Sequence, residues 1–172
     1  MRVLFGLILW MIAVSAHAGT RDAEFANIDG GTLRLADWPG QPVLVVNTAS
    51  QCGYTYQYEG LQALHDRLSG RGLVVLAVPS DDFNQELATA GAVKDFCEMT
   101  FGLTLPMADI SHVRGAQAHE FYKAVKAQTG FEPGWNFNKV LIGSDGRVLG
   151  TWGSNVKPQS RTILKAIEPL LK

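Results

Sequence analysis

Cysteine is scarce: the chain of 172 residues contains two, Cys52 and Cys97. Neither belongs to a CxxC pair, because Thr55 stands where the second cysteine of such a pair after Cys52 would fall. That excludes dithiol exchange within one loop. HxxxH spacing is absent as well, so a Cys/His metal site is not expected. Charge of one sign is also missing. Lys and Arg number 15 against 16 Asp and Glu, a formal net charge of -1. No Lys/Arg-rich stripe is present, which argues against a nucleic-acid partner. Repeats, low-complexity tracts and linkers are lacking too. A composition of 47% apolar and 18% charged residues is ordinary for a globular chain, and the length suits one domain with a substantial core.

A long hydrophobic run occurs once, at the start. Val3 to Val14 is apolar apart from Gly6, follows Arg2, and leads to Ala16-His17-Ala18. A membrane span needs about 20 apolar residues, and this run is shorter. Basic start, short apolar run and small-x-small ending are the marks of a cleaved secretory signal. Residues 1–18 are therefore expected to be a signal peptide and 19–172 the mature domain, periplasmic or secreted, with no stable membrane insertion after cleavage. Loss of Arg2 takes the formal charge to -2. Export changes the meaning of the cysteines. In an oxidising compartment two cysteines are usually a structural disulfide, so an exported binding or structural module with a permanent Cys52–Cys97 bridge is the competing reading.

The order of elements points to a fold. Phe25 to Leu35 reads as a hairpin turned at Asp29-Gly30-Gly31. Pro42 to Asn47 has a continuous apolar, mostly β-branched centre, as in a strand covered on both faces. Leu61, Leu64 and Leu68 give Tyr58 to Leu68 a helical spacing. Leu73 to Val78 is a second buried-type strand. Ala92 to Met99 and Ala116 to Ala127 read as helices. Asn138 to Ile142 and Val148 to Trp152 are strands joined at Ser144-Asp145-Gly146, and Pro158 to Leu171 reads as a closing helix. A βαβ unit followed by an antiparallel ββα unit predicts an α/β, thioredoxin-like fold: a central mixed sheet flanked by helices, with an N-terminal β-hairpin.

Cys52 falls just past a buried strand, in Asn47-Thr48-Ala49-Ser50-Gln51-Cys52-Gly53-Tyr54-Thr55, ahead of a helix. Thiolate is the reactive form of cysteine, and an ordinary thiol is only a few per cent ionised at neutral pH. Free N–H groups at a helix start favour the anion by about 0.3–1 kcal/mol. Each tenfold gain in thiolate takes about 1.4 kcal/mol, so further hydrogen-bond donors to the sulfur are expected. Each charge-assisted bond adds about 1.5–3 kcal/mol. A single activated cysteine suits attack on a small electrophile.

The same segment resembles the active-site segment of the glutathione peroxidase family, and Tyr58-Glu59-Gly60-Leu61 continues the likeness. Phe96-Cys97 through Pro106 resembles a second family segment, and Gly134-Trp135-Asn136-Phe137-Asn138-Lys139-Val140-Leu141 a third. The likeness runs in order over nearly the whole mature chain. It implies a hydroperoxide reductase, a peroxidase that requires no cofactor and no metal. Cys52 matches the peroxidatic Cys or selenocysteine. Trp135 and Asn136 match the residues whose N–H groups hold the reactive sulfur, and Gln85 matches the glutamine of that cluster. The loop Pro79–Glu86 is one residue shorter than the family pattern, with Ser80 and Asp82 where Cys and Gln are usual. Asn138 stands where Thr is usual, a change expected to be minor. Family members with a cysteine placed like Cys97 tend to use thioredoxin-type reductants, and those using glutathione generally lack it. The resemblance thus implies a sulfenic acid on Cys52, a Cys52–Cys97 disulfide and a thioredoxin-like partner, with glutathione the alternative. The short stretch between Tyr122 and Trp135 lacks the insertion of tetrameric relatives, which implies a monomer. His65, His112 and His119 are expected at the surface or in packing.

Overall fold

The computed structural model describes residues 19–172; the expected signal peptide lies outside them. A two-stranded hairpin, β1 (Glu24–Ala26) and β2 (Thr32–Arg34), precedes a four-stranded sheet. The sheet strands are β3 (Val43–Thr48), β4 (Val74–Pro79), β5 (Lys139–Ile142) and β6 (Val148–Trp152), in the order β4-β3-β5-β6. β3 and β4 are parallel, and β5 is antiparallel to both β3 and β6. The helices are α1 (Gln57–Leu68), α2 (Ala90–Phe101), α3 (Glu120–Thr129) and α4 (Arg161–Ile167). This is the mixed sheet and N-terminal hairpin that the order of elements predicts. Among the described residues no helix is long and apolar enough to cross a membrane.

The alternation of side chains along the strands sorts the core into two layers. Leu44, Val46, Val75, Ala77 and Leu141 face α1, α2 and α4, where Leu61, Leu64, Val93 and Ile163 meet them. Val43, Val45, Leu76, Val140 and Ile142 face the hairpin and α3, represented by Phe25, Leu35, Phe121 and Val125. Both cysteines belong to the first layer.

Three helices have bounds that differ from the sequence reading, and a local reason is visible at one end of each. α2 begins at Ala90 because Thr89 caps it, its Oγ1 accepting the Ala92 N–H at 3.2 Å. α3 begins at Glu120 because the His119 ring supplies the cap: Nδ1 accepts the Phe121 N–H at 3.2 Å. The ring also stacks on Phe25, with centroids 4.0 Å apart. At the C-terminus Ser160 caps α4, and the helix tightens into a 3-10 turn at Glu168–Leu170, where Pro169 has no N–H to continue the α pattern.

Candidate active site

β3 ends at Thr48 and leads through Ala49–Thr55 into α1. The approach to the helix is a ladder of tight turns. Thr55 N–H donates to the Cys52 carbonyl at 3.1 Å, Gln57 N–H to Tyr54, and Tyr58 N–H to Thr55. Cys52 therefore sits about a turn ahead of the helix proper. Cys52 is buried, 4% exposed. Among the described residues the hydrogen bond to Sγ comes from the Tyr54 N–H, at 3.5 Å. The anion-binding backbone expected of a helix start is thus supplied by the turn that carries the cysteine.

Two other loops close on this turn. The loop after β4 joins it through Gln51 N–H, which donates to the Gln85 carbonyl at 2.8 Å. Ser50 N–H donates to Glu86 Oε1 at 2.9 Å. Asn84 takes a left-handed backbone, φ 54°, and its N–H returns to the Asp81 carbonyl. That tight reversal lets the shortened loop present Gln85 to the site. Asp82 is spent elsewhere: its Oδ2 accepts the Val113 N–H at 2.6 Å, and its Oδ1 lies 2.6 Å from His112 Nδ1.

The loop before β5 supplies the third wall. Asn136 is fully buried, and its Nδ2 donates to Gln85 Oε1 at 3.2 Å. Gln85 and Asn136 are thus brought together beside the Cys52 turn. Trp135 is 40% exposed, its ring 5.3 Å from that of Phe83. Neither the indole nor the two amides hydrogen-bonds to Cys52 Sγ among the described residues. Asn47 braces this wall: its Nδ2 donates to the Trp135 carbonyl at 3.0 Å, and its Oδ1 accepts the Asn138 N–H.

Asn138 does more than the sequence reading allowed. Its Nδ2 donates to the Trp135 carbonyl at 2.8 Å and to Ser154 Oγ at 2.9 Å, and Ser154 Oγ in turn donates to the Asn136 carbonyl. Asn47, Asn138, Ser154 and Glu86 are site residues that sequence reasoning missed. Asn47 and Glu86 lay inside quoted motifs; Ser154 had no local signal.

Cys97 is fully buried on the inner face of α2, and both cysteines are free thiols. Burial pushes the Cys97 thiol up to about 11. Tyr58 on α1 is packed in the same core layer, and its hydroxyl is buried without a hydrogen-bond partner among the described residues. Among the described residues no group of three or more His, Cys, Asp or Glu could hold a metal. A groove of about 410 Å³ lies beside the Cys52 turn, between Tyr56 and Gly60 on one side and Lys157 and Pro158 on the other. Cys52 does not line it.

Known proteins share this fold and much of this sequence. The family model for glutathione peroxidase matches residues 21–126. The chain is similar to the hydroperoxy fatty acid reductase gpx1 of Synechocystis, 40% identical over 158 residues, covering 84% of this chain and 90% of that protein. It is also similar to the glutathione peroxidase-like peroxiredoxin gpx1 of Schizosaccharomyces pombe, 38% identical, covering 76% and 86%. Among solved structures, T. cruzi GPX1 superposes with a TM-score of 0.70 at 27% identity, covering 89% of this chain and 96% of that one. A secreted Mycobacterium tuberculosis disulfide oxidoreductase, at 12% identity, TM-score 0.60 and coverage of 87% and 97%, shares the thioredoxin-like fold alone. With its cysteine-bearing turn between strand and helix and relatives of these names over most of its length, the chain belongs to the glutathione peroxidase family and is a thiol-dependent peroxidase.

Proposed function

We propose that Cys52 is the peroxidatic residue and Cys97 the resolving one, in an exported monomer reduced by a thioredoxin-like dithiol. The substrates are hydrogen peroxide and organic hydroperoxides, the latter suggested by the name of the Synechocystis relative. The observation that carries the reading is the setting of Cys52: a buried sulfur that accepts a backbone N–H, backed by the Gln85–Asn136 pair. The Cys52 thiolate attacks the terminal peroxide oxygen. The O–O bond breaks, the alcohol or water leaves with a proton, and Cys52 becomes a sulfenic acid. Cys97 then displaces the hydroxyl, giving water and the Cys52–Cys97 disulfide, which the external dithiol reduces. Because the Asn136 amide holds Gln85 Oε1, the Gln85 NH₂ is the end available to the peroxide or to the sulfur. Trp135, with its indole in a half-open position, adds a second N–H donor.

Cys52→Ser should abolish peroxide turnover and leave the fold intact, as judged by circular dichroism. Turnover near that of the wild type would refute the assignment. Parallel assays with a thioredoxin system and with glutathione test the reductant, and faster turnover with glutathione would reverse that choice. For export, the motif at residues 1–18 predicts a mature chain starting at or near Gly19. Intact-mass measurement of protein from its source checks this, and a chain retaining Met1 would overturn it.

A further inference from the structure

Phe83 stands two residues before Gln85, in the loop whose Gln85 carbonyl accepts the Gln51 N–H beside Cys52. Its ring meets two partners. The Trp135 ring lies 5.3 Å away, tilted by 48°. The Arg114 guanidinium lies over the Phe83 ring, 5.3 Å from the centroid, within the reach of a cation–π interaction. Phe83 itself is 9% exposed, whereas Trp135 is 40% exposed and Arg114 is fully in the exposed class. A cation, a buried ring and an open indole thus form one stack, and the indole end adjoins Asn136, which is bonded to Gln85.

Asp82 holds Arg114 in that place. Its side chain is largely buried. Oδ2 accepts the N–H groups of Val113 at 2.6 Å and Arg114 at 3.2 Å, and Oδ1 lies 2.6 Å from His112 Nδ1. Residues 112–114 are thereby tied to the loop that carries Phe83 and Gln85. The neighbouring carboxylates are already in use. Glu132 accepts the Gly115 N–H at 2.9 Å and pairs with Lys126 at 3.1 Å. Asp81 accepts the Glu86 N–H at 3.0 Å. Among the described residues no carboxylate lies within ion-pair distance of the Arg114 guanidinium.

We propose that Arg114 binds the carboxylate of a fatty-acid hydroperoxide whose chain lies on the Trp135 indole and whose hydroperoxide group reaches Cys52. Hydrogen peroxide needs neither an apolar shelf nor a cation. A long-chain acid uses both. Its chain removes apolar indole surface from water, and the planar guanidinium matches the fork of a carboxylate. Arg114 touches the substrate at the end away from the O–O bond, so it sets specificity and leaves the chemical step alone. The inference rests on the reading of Cys52 and of organic hydroperoxides given above, and adds that the favoured acid is free and not esterified.

The test compares hydrogen peroxide, linoleic acid hydroperoxide and the methyl ester of that hydroperoxide, at neutral pH and below the concentration at which the lipids form micelles. The wild type should prefer the free acid to the ester, and added salt should erode the preference. In Arg114→Gln, kcat/KM for the free acid should fall about fivefold, mostly through KM. The ester and hydrogen peroxide should stay within about twofold of the wild type. Arg114→Lys keeps the charge and should keep most of the preference, and Arg114→Glu should place the free acid below the ester. Equal losses on all three peroxides in Arg114→Gln would make the residue structural. An unchanged free-acid rate would leave the carboxylate to another group. Either result overturns the proposal, while turnover of hydrogen peroxide keeps the peroxidatic reading of Cys52. A wild type that reduces none of the three would overturn that reading and this inference with it.

Discussion

Phe137 holds a left-handed backbone, φ 60°, with its side chain fully buried. That conformation costs a non-glycine residue about 1–3 kcal/mol. Burial of the ring, set edge-on to Tyr58 with centroids 5.1 Å apart, offsets it. The reversal sends three consecutive side chains to three destinations: Asn136 to Gln85, Phe137 into the core, Asn138 to Trp135 and Ser154. Stability and function should therefore separate at adjacent positions. Phe137→Ala should cost about 3–5 kcal/mol in urea unfolding. Asn136→Ala removes one hydrogen bond but also a buried, unpartnered Oδ1. It should stay within about 1.5 kcal/mol of the wild type while slowing sulfenic acid formation. A stability loss in Asn136→Ala as large as that of Phe137→Ala would show that the amide is structural.

Among elements, α2 has the most to do in the proposed cycle and the least holding it. Of its 12 residues, Val93 and Cys97 are the buried ones. Its ends are fixed by the Thr89 cap and by Gly102, whose φ of 60° lets its N–H reach the carbonyls of Cys97 and Glu98. A disulfide needs Cα atoms about 4.4–6.8 Å apart. A helix held by few buried contacts can open locally at a cost below that of global unfolding. Thr89→Ala should weaken the cap by about 1 kcal/mol, about a fivefold change in an opening equilibrium. Disulfide formation should quicken by up to that factor if opening limits it. A slower or unchanged step, timed from the sulfenic acid by quenched mass spectrometry, would mean that Cys97 reaches Cys52 without unwinding α2. The helix itself was legible from its apolar spacing. The two added residues at its start were not, because the cap depends on where the preceding loop is held. The same holds at α3, where nothing in the local sequence marks His119 as a cap: its ring reaches that place by stacking on Phe25, 94 positions earlier in the chain.

At the scale of the molecule, β5, the start of α1 and the loop after β6 are tied together through a buried lysine. Lys139 is fully buried in β5, and its Nζ donates to Gln57 Oε1 at 2.5 Å and to the Val156 carbonyl at 2.7 Å. Among the described residues no carboxylate pairs with it, and burial lowers it to about 7, against about 10.4 for a free lysine. In that window the unfolded chain binds more protons than the folded one, so stability rises with pH. Cys97 acts oppositely: raised to about 11, it contributes stability that is lost as pH climbs through the alkaline range. The Lys139 effect should therefore show as a midpoint of thermal unfolding that increases from about pH 7 to pH 9. Lys139→Met should lower stability outright, by leaving Gln57 Oε1 and the Val156 carbonyl without a donor, and should flatten the rise. An identical slope in the variant would assign the pH dependence to other groups.

What the sequence determined by itself was everything carried by periodicity and by contiguous motifs. The apolar runs of Val43–Val46 and Val74–Val78 can be satisfied only inside a sheet covered on both faces, and the helix-strand order then restricts the topology to a thioredoxin-like one. Cys52 stood out because a strand, a turn and a helix follow one another along the chain there. The tertiary structure decided what depends on groups distant in sequence. Whether the shortened loop could bring Gln85 to the site turned on the left-handed Asn84 and on an amide 51 residues away, Asn136. Asn138, a small change in the motif, became a brace because Ser154 lies beside it. Glu86 entered the sequence reading only as the end of the shortened loop; folding buried it and gave one of its oxygens two backbone donors and the other none. Burial and hydrogen-bond partners are properties of which loops meet, and no local stretch of sequence encodes that meeting.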